Sequence, residues 1–186
     1  MKKLTFIILC IINLFGLNAQ EKQYYVYGVD FSHAKVYASG ESVEQFAKAF
    51  EGINMLIVTE PEKYDFSRIL NKKVNTVIEP MIKIVSSHDY SNLKSLSNTY
   101  DYTSYSSIIK SYDLPQTEGV GIVLVAKLLN KPMATASYEL IMFDIASRKI
   151  LYNNEFTGKA KGFGLRNFWA GSVYDIIKSV KLDIEN

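Results

Sequence analysis

The chain has 186 residues, of which 48% are hydrophobic and 13% aromatic, and its 21 basic residues nearly balance its 19 acidic residues. This apolar fraction is typical of a folded globular protein. The balanced charge, without any run of five or more Lys and Arg, gives no field that would favour nucleic acid. Because Cys10 is the only cysteine, the chain cannot form an internal disulfide.

Residues 1–19 have the order of a cleavable signal peptide. A pair of lysines precedes an apolar run, Leu4–Leu17, and Ala19 offers signal peptidase a small residue before Gln20. The run is shorter than the roughly 20 apolar residues of a transmembrane helix, so a retained anchor is the less favoured alternative. A lipid-modified Cys10 is disfavoured because the apolar run continues beyond it. We expect an exported protein, periplasmic or secreted, with no transmembrane anchor after processing.

Removal of the signal changes the composition of what remains. Two basic residues and the cysteine leave with it, so residues 20–186 carry 19 basic and 19 acidic side chains. This formally neutral, thiol-free chain must be stabilised by its core alone. A chain of this length buries roughly two thirds of its unfolded surface and has the size of one domain. We expect a single globular α/β domain over residues 20–186, with no nucleic-acid partner.

The first half of this domain alternates strand and helix patterns. Tyr24–Phe31 is rich in aromatic and β-branched residues and predicts a strand. Ser42, with Gln45 three residues later, has the form of a capping box and precedes an amphipathic helix. Val74–Val85 alternates apolar with charged or polar residues, which predicts a half-exposed strand with Pro80 near an edge.

The second half begins with Ser86–Tyr105, a stretch of Ser, Asn and Tyr without a period, which predicts a long surface connection. Val120–Leu129 is apolar on both alternating faces and predicts the central strand. A short helix is predicted over Tyr105–Tyr112. Two strands joined as a hairpin are predicted over Ser137–Ile145 and Lys149–Thr157, and a final helix is predicted from about Asn167 onward. Each helix and strand has an apolar face that must be buried against another element, which predicts an α/β (α+β) fold. We expect a mixed sheet of about five strands with amphipathic helices packed on it, including a long C-terminal helix.

The order of these elements, from about residue 24 onward, resembles the amino-terminal domain of TolB and the periplasmic module of the curli-assembly lipoproteins. The segments Gly28–Tyr37, Leu56–Tyr64 and Gly162–Gly171 are similar to a family of small exported bacterial proteins without an assigned activity. The first resemblance implies a bacterial envelope domain that binds partners and is not an enzyme. The second implies the same fold class and compartment.

The most distinctive candidate site is Gly158–Asn167, a glycine-rich segment with three cations that leads into the C-terminal helix. Backbone N–H groups at a helix start attract anions, so the segment is a candidate for binding a phosphate or carboxylate. It lacks the closing Gly-Lys-Ser/Thr of a P-loop, and a strand-to-helix connection with solvated lysines is the alternative. The residues proposed to bind the ligand are Lys159, Lys161, Gly162, Gly164, Arg166 and Asn167.

A second candidate is the tyrosine-bearing segment that holds Tyr90, Tyr100, Tyr102 and Tyr105. Its rings offer stacking surfaces for sugars or for a protein partner. The alternative is a surface loop without a partner. An exposed strand edge elsewhere would also permit homo-oligomers.

No constellation for catalysis or metal binding is present in the sequence. Asp30, Ser32 and His33 are close neighbours on an extended chain, whereas a working triad is assembled from distant segments. His33 and His88 are the only histidines, and neither lies in a ligand spacing such as His-x-x-x-His. We expect no catalytic residues, no metal and no cofactor.

Two functions follow from these features. The favoured one is an exported, non-catalytic cell-envelope module that binds a protein or a cell-wall component. The alternative is a small extracellular or periplasmic hydrolase that acts on a polymer, suggested by the compartment and by the polar residues around His33.

Overall fold

A computed structural model describes residues 22–100 and 104–183. The predicted signal peptide and Tyr102 lie outside the described residues. The strands are β1 (Tyr24–Asp30), β2 (Lys35–Tyr37), β3 (Asn75–Thr76), β4 (Lys94–Ser95), β5 (Val120–Asn130), β6 (Thr135–Asp144) and β7 (Ile150–Lys159). The helices are α1 (Val43–Thr59), α2 (Ser67–Leu70), α3 (Glu79–Ser87), α4 (Tyr105–Ser111) and α5 (Leu165–Ser179).

The strands form one mixed sheet with β5 at its centre. One edge of β5 pairs in parallel with β1 and, further along, with β2, whereas the other edge pairs antiparallel with β6. Outside these, β3 and β4 pair in parallel with β1 and β2, and β7 pairs with β6. Strands β1 and β2 follow one another along the same edge of β5, and β3 and β4 follow one another outside them. The seven strands therefore make a sheet that is five strands wide. The predicted α/β fold and the central place of β5 are confirmed.

Apolar cores cover both faces of this sheet. The larger core lies under α1, α2 and α5 and includes the fully buried Trp169 and the stacked rings of Phe31 and Phe50, whose centroids are 4.1 Å apart. The smaller core lies under α4 and contains Tyr27 and Phe143. Helix α3 contributes to both. These faces explain the apolar stripes of α1 and α5.

Helix α1 begins as predicted and is tied to β1 by a buried asparagine. The Ser42 hydroxyl accepts from the Gln45 N–H at 3.3 Å, and the Gln45 side chain accepts from the Ser42 N–H at 2.7 Å. The Asn54 amide accepts from the N–H of Val29 at 2.7 Å and donates to its carbonyl at 2.8 Å, as a neighbouring strand would. Gly28, with a φ of 104°, makes this approach possible, because a Cβ there would lie 2.4 Å from Asn54 Oδ1.

The strand predicted over Val74–Val85 is wrong for most of its length. Only the two residues of β3 pair with the sheet, and the chain then forms α3 with Pro80 in its first turn. Proline is well accommodated there because the first N–H groups of a helix need no partner within the helix. The alternation of apolar residues led to a wrong prediction because a short apolar run fits both the two-residue period of a strand and the 3.6-residue period of a helix. The three-residue strand β2 was also outside the prediction.

The remaining predictions agree with the structure. Helix α4 occupies the expected span, β6 and β7 form the expected hairpin, and α5 begins two residues before Asn167. Most of the described residues in Ser86–Tyr105 are irregular, apart from the end of α3, the two residues of β4 and Tyr105, which begins α4. Among the described residues, no helix has both the length and the apolar character needed to cross a bilayer. Among the described strands, β7 pairs with β6 alone.

Candidate functional site

The interruption between β1 and β2 forms the base of a candidate site. The carboxylate of Asp30, which is 1% exposed, accepts hydrogen bonds from the Ser32 N–H at 2.8 Å and the Ser32 hydroxyl at 2.6 Å. Such a local turn competes with strand pairing and ends β1. Tyr112 directly follows α4, and its hydroxyl donates to the other carboxylate oxygen at 2.7 Å. The turn is thereby fixed to both β1 and α4.

An open cavity of about 360 Å³ lies beside this turn. Its walls come from three segments, which are the β1–β2 turn, the chain after α3 and the chain after β4. Hydroxyl, amide and imidazole groups dominate the lining and belong to Ser32, His33, His88, Asn92, Ser95 and Thr99. This lining suits a polar ligand group with several hydrogen-bonding positions.

The cavity brings together the two histidines of the chain, His33 and His88. The ring of His88 meets the ring of Tyr90 edge-on, with 4.7 Å between centroids. Burial lowers the pKa of His88 below its ordinary value, and the nearby His33 acts in the same direction, while Asp30 and Asp89 oppose the shift. The imidazole of His88 is therefore uncharged at neutral pH and offers one donor and one acceptor.

Tyr90 forms a wall of the cavity and carries an unusual hydroxyl group. The residue is 5% exposed, and its ring packs on Phe50 at 5.5 Å between centroids. Its hydroxyl is buried without a hydrogen-bond partner among the described residues. Burial, together with the Asp30 carboxylate, raises the pKa of Tyr90 well above its usual range. An unpaired buried hydroxyl costs about 1–3 kcal/mol, and a ligand would recover that free energy by bonding to it once the cavity wall moves to expose the hydroxyl.

The polar groups around the cavity are not arranged for nucleophilic catalysis. The Ser32 hydroxyl donates to Asp30, so it does not donate to a histidine base. The Asp89 carboxylate accepts from the N–H and hydroxyl of Ser91, at 2.9 and 3.1 Å. Within residues 22–100 and 104–183, no group of three or more His, Cys, Asp or Glu is placed to hold a metal ion. The arrangement can bind and orient a polar group.

The predicted tyrosine segment divides between this cavity and the smaller core. Tyr90 and Tyr100 line the cavity, whereas Tyr105, at the start of α4, is buried in the smaller core. Burial raises the pKa of Tyr105 to about 12. Tyr102 lies outside the described residues. Of the three described rings, that of Tyr100 is the one with intermediate exposure, and partner binding by this segment stays a prediction.

A charged cluster on the sheet face borders Tyr100 and was not anticipated from the sequence. Lys127 Nζ lies 2.5 Å from a Glu155 oxygen, 3.7 Å from a Glu139 oxygen and 5.6 Å from the centre of the Tyr100 ring. The Asn153 amide donates to Glu139 at 2.6 Å. These residues come from β5, β6 and β7, so only the strand register reveals their proximity. Their charges pair with one another, which favours a structural role.

The glycine-rich segment lies away from the cavity and packs on the start of α5. The Lys161 N–H donates to the Phe168 carbonyl at 3.0 Å, so this amide is used within the protein. Gly162 has a φ of 135°, and a Cβ there would lie 2.6 Å from the Asn167 carbonyl oxygen. A Cβ on Gly171 would lie 2.2 Å from the Lys161 carbonyl oxygen. The glycines therefore permit close packing of the segment on the helix.

The other predicted ligand-binding residues of this segment are exposed. Lys159 ends β7, Gly164 precedes α5 with a φ of 79°, and Arg166 lies in the first turn of α5. The Arg166 side chain covers Gly52 of α1 and donates to Asn167 Oδ1 at 3.0 Å. None of the six predicted residues lines the cavity. Anion binding here stays a prediction.

Comparison with known proteins gives no relative for this arrangement. No protein-family model matches the chain, and neither a curated protein nor a solved structure is detectably similar to it.

Proposed function

We propose that the protein is an exported, non-catalytic module of the cell envelope that binds a protein or cell-wall partner, and that a polar group of this partner enters the cavity. The observation that carries the proposal is the buried Tyr90 hydroxyl, which lacks a partner among the described residues and belongs to a wall that also holds His33 and His88. A ligand hydroxyl, amide or carboxylate would bond to the imidazoles in the cavity, and to the Tyr90 hydroxyl once the wall moves to expose it. The predicted element order, which resembles that of partner-binding envelope domains, suggests the same role.

The hydrolase alternative would use the same cavity. It requires a nucleophile with a base, and the Ser32 hydroxyl is instead bonded to Asp30. The geometry therefore favours binding over bond cleavage.

The variant Tyr90→Phe tests the proposal because it removes one oxygen and keeps the ring that packs on Phe50. Calorimetric titration with soluble cell-wall fragments, and with any protein captured from an envelope extract, would measure affinity. We expect the variant to bind the cognate ligand about tenfold more weakly, the value of one hydrogen bond, with unchanged or higher folding stability. Tyr174→Phe, on α5 and outside the cavity lining, is the matched control and keeps wild-type affinity.

Two further results would contradict the proposal. Equal affinity of wild type and Tyr90→Phe for the captured ligand would place binding elsewhere, and release of cleaved products from a wall polymer would establish an enzyme. Export is tested separately by amino-terminal sequencing of the protein from fractionated cells. We expect a first residue of Gln20 in the envelope or medium, and an intact Met1 in the cytoplasm would contradict export.

A further inference from the structure

Three large apolar side chains stand out from the surface of the described residues. Leu96 is 103% exposed, Phe163 is 95% exposed and Met133 is 69% exposed. Single exposed apolar residues are ordinary on protein surfaces. These three differ because they share one position in the fold although they lie in separate loops.

The strand register places the three loops at the same end of the sheet. One row of paired residues crosses the sheet through Ser95, Tyr37, Asn130, Thr135 and Lys159. Leu96 follows Ser95 directly, and Met133 lies in the turn that joins Asn130 to Thr135. Phe163 lies four residues beyond Lys159. Since neighbouring strands are about 4.8 Å apart, the three loops span roughly 20 Å. We call this surface the loop end, made of residues 96–99, 131–134 and 160–164.

The loop end is also basic. Cations in these loops and in the residues next to them are Lys94, Lys131, Lys159, Lys161 and Arg166. The acidic side chains in the adjoining described residues are Glu41, Glu44 and Asp175, which leaves a surplus of positive charge. Helices α1 and α5 both start at this end and add the partial positive charge of their amino termini. The five cations and three acidic side chains named here leave a formal charge of +2 at this end, although residues 20–186 as a whole are formally neutral.

Phe163 is held outward by an ordered loop. The Lys161 N–H donates to the Phe168 carbonyl at 3.0 Å, and the Phe168 N–H donates to the Gly164 carbonyl at 2.9 Å. Phe163 lies between Gly162 and Gly164, which both have positive φ, at 135° and 79°. The exposed ring is therefore positioned before any partner arrives, which lowers the entropy cost of binding.

We propose that the loop end docks on a bilayer surface that contains anionic lipid. Leu96, Met133 and Phe163 insert at the headgroup level, while Lys159, Lys161 and Arg166 contact lipid phosphates. Separate convex apolar tips flanked by cations match an interface that is soft and anionic. A protein partner is less well matched, because protein hot spots form contiguous, closely packed clusters. This surface adjoins the cavity, with which it shares Ser97 and Thr99, but its apolar tips and cations are not part of the cavity lining, and the proposal goes beyond the function proposed above.

Sedimentation with vesicles tests the proposal on the purified protein. We expect binding to phosphatidylcholine vesicles that contain about a third phosphatidylglycerol, and at least tenfold weaker binding to phosphatidylcholine alone. Phe163→Ser should weaken binding about tenfold, and Lys161→Gln about fivefold. The matched controls are Leu151→Ser on β7, where Leu151 is 51% exposed, and Lys178→Gln at the far end of α5, and both should bind as wild type does.

Each other outcome would overturn the proposal. Absence of wild-type binding to anionic vesicles, or equal losses in the Phe163→Ser and Leu151→Ser variants, would remove the loop end as a membrane surface. If millimolar inorganic phosphate abolished vesicle binding and Phe163→Ser left that binding unchanged, the loop end would be a simple anion site instead. Tyr90→Phe should leave vesicle binding unchanged, so failure of this proposal and failure of the cavity proposal are distinguishable.

Discussion

The cavity and the loop end are two surfaces of the same sheet that are built in different ways. The cavity is concave and polar, and it rests on buried hydrogen bonds that join segments far apart in sequence, such as the bond from Tyr112 to Asp30. The loop end is convex, and its apolar tips and cations are exposed. Its shape depends on short-range contacts of glycines with backbone.

This difference predicts that the two surfaces respond differently to substitution. A change beneath the cavity should reduce the stability of the whole fold, because its supports belong to the core. A change at one of the three apolar tips of the loop end, Leu96, Met133 or Phe163, should alter binding and leave stability within about 0.5 kcal/mol of wild type, whereas the glycines that hold Phe163 in place contribute to stability. The predictions below test this contrast from the largest effect to the smallest.

The largest effect is expected at Asn54, which supports β1 just before the cavity. Asn54→Ala leaves the N–H and carbonyl of Val29 without their side-chain partner and opens a void in a fully buried position. We expect the free energy of unfolding to fall by about 3 kcal/mol, measured by urea denaturation. The exposed Asn154 on β7 provides the control, and Asn154→Ala should change stability by less than about 0.5 kcal/mol. A loss below about 1 kcal/mol for Asn54→Ala would show that this bond does not anchor β1.

A smaller effect is expected in the glycine-rich segment. Gly162→Ala must adopt a φ of 135° and bring a Cβ to 2.6 Å from the backbone oxygen of Asn167, so we expect a loss of about 2 kcal/mol. At Gly164, with a φ of 79°, a Cβ would meet nothing within 4 Å. Backbone strain alone predicts that Gly164→Ala lowers the free energy of unfolding by about 1 kcal/mol. Gly40→Ala, in open space without a positive φ, should be near neutral. Urea unfolding of the three variants measures this order, and equal losses at all three positions would contradict the packing argument.

The smallest effect is the pH dependence contributed by His88. Because burial lowers its pKa in the folded protein, the unfolded chain binds the proton more readily. This contribution to stability is fully present above the ordinary histidine pKa of 6.5 and is lost as the pH falls through the lowered value. We expect wild type to lose more stability between about pH 7.5 and pH 5 than His88→Asn does. Parallel slopes for both proteins in urea unfolding at several pH values would show that His88 is not the group responsible.

The fold was predictable where the sequence pattern is long. The capping box of α1 and its apolar stripe identify the helix, and the two-sided apolar run of β5 identifies a central strand. The pattern failed at α3, where a short apolar run around Pro80 fits both a strand and a helix, and its neighbours decided the outcome. The strands β2, β3 and β4 have two or three residues each, too few for any period to appear.

The candidate site was predictable only in part. The sequence drew attention to His33 and to the tyrosine segment, and the structure brings His33, Tyr90 and Tyr100 to one cavity. It gave no sign that His88 joins them, because 55 positions of sequence separate the two histidines. The ion pair of Lys127 and Glu139 could not be predicted from the sequence either, since only the register of β5 and β6 places the two side chains next to each other.

The sequence by itself determined the apolar faces, the helix start at Ser42, the central position of β5 and the balance of charge in residues 20–186. These properties are local or additive, so they can be found without coordinates. The tertiary structure decided which polar groups meet, that the Tyr90 hydroxyl is buried beside the histidines, and that Leu96, Met133 and Phe163 emerge at one end. Those relations depend on strand register and on packing between distant segments, which no single stretch of sequence contains.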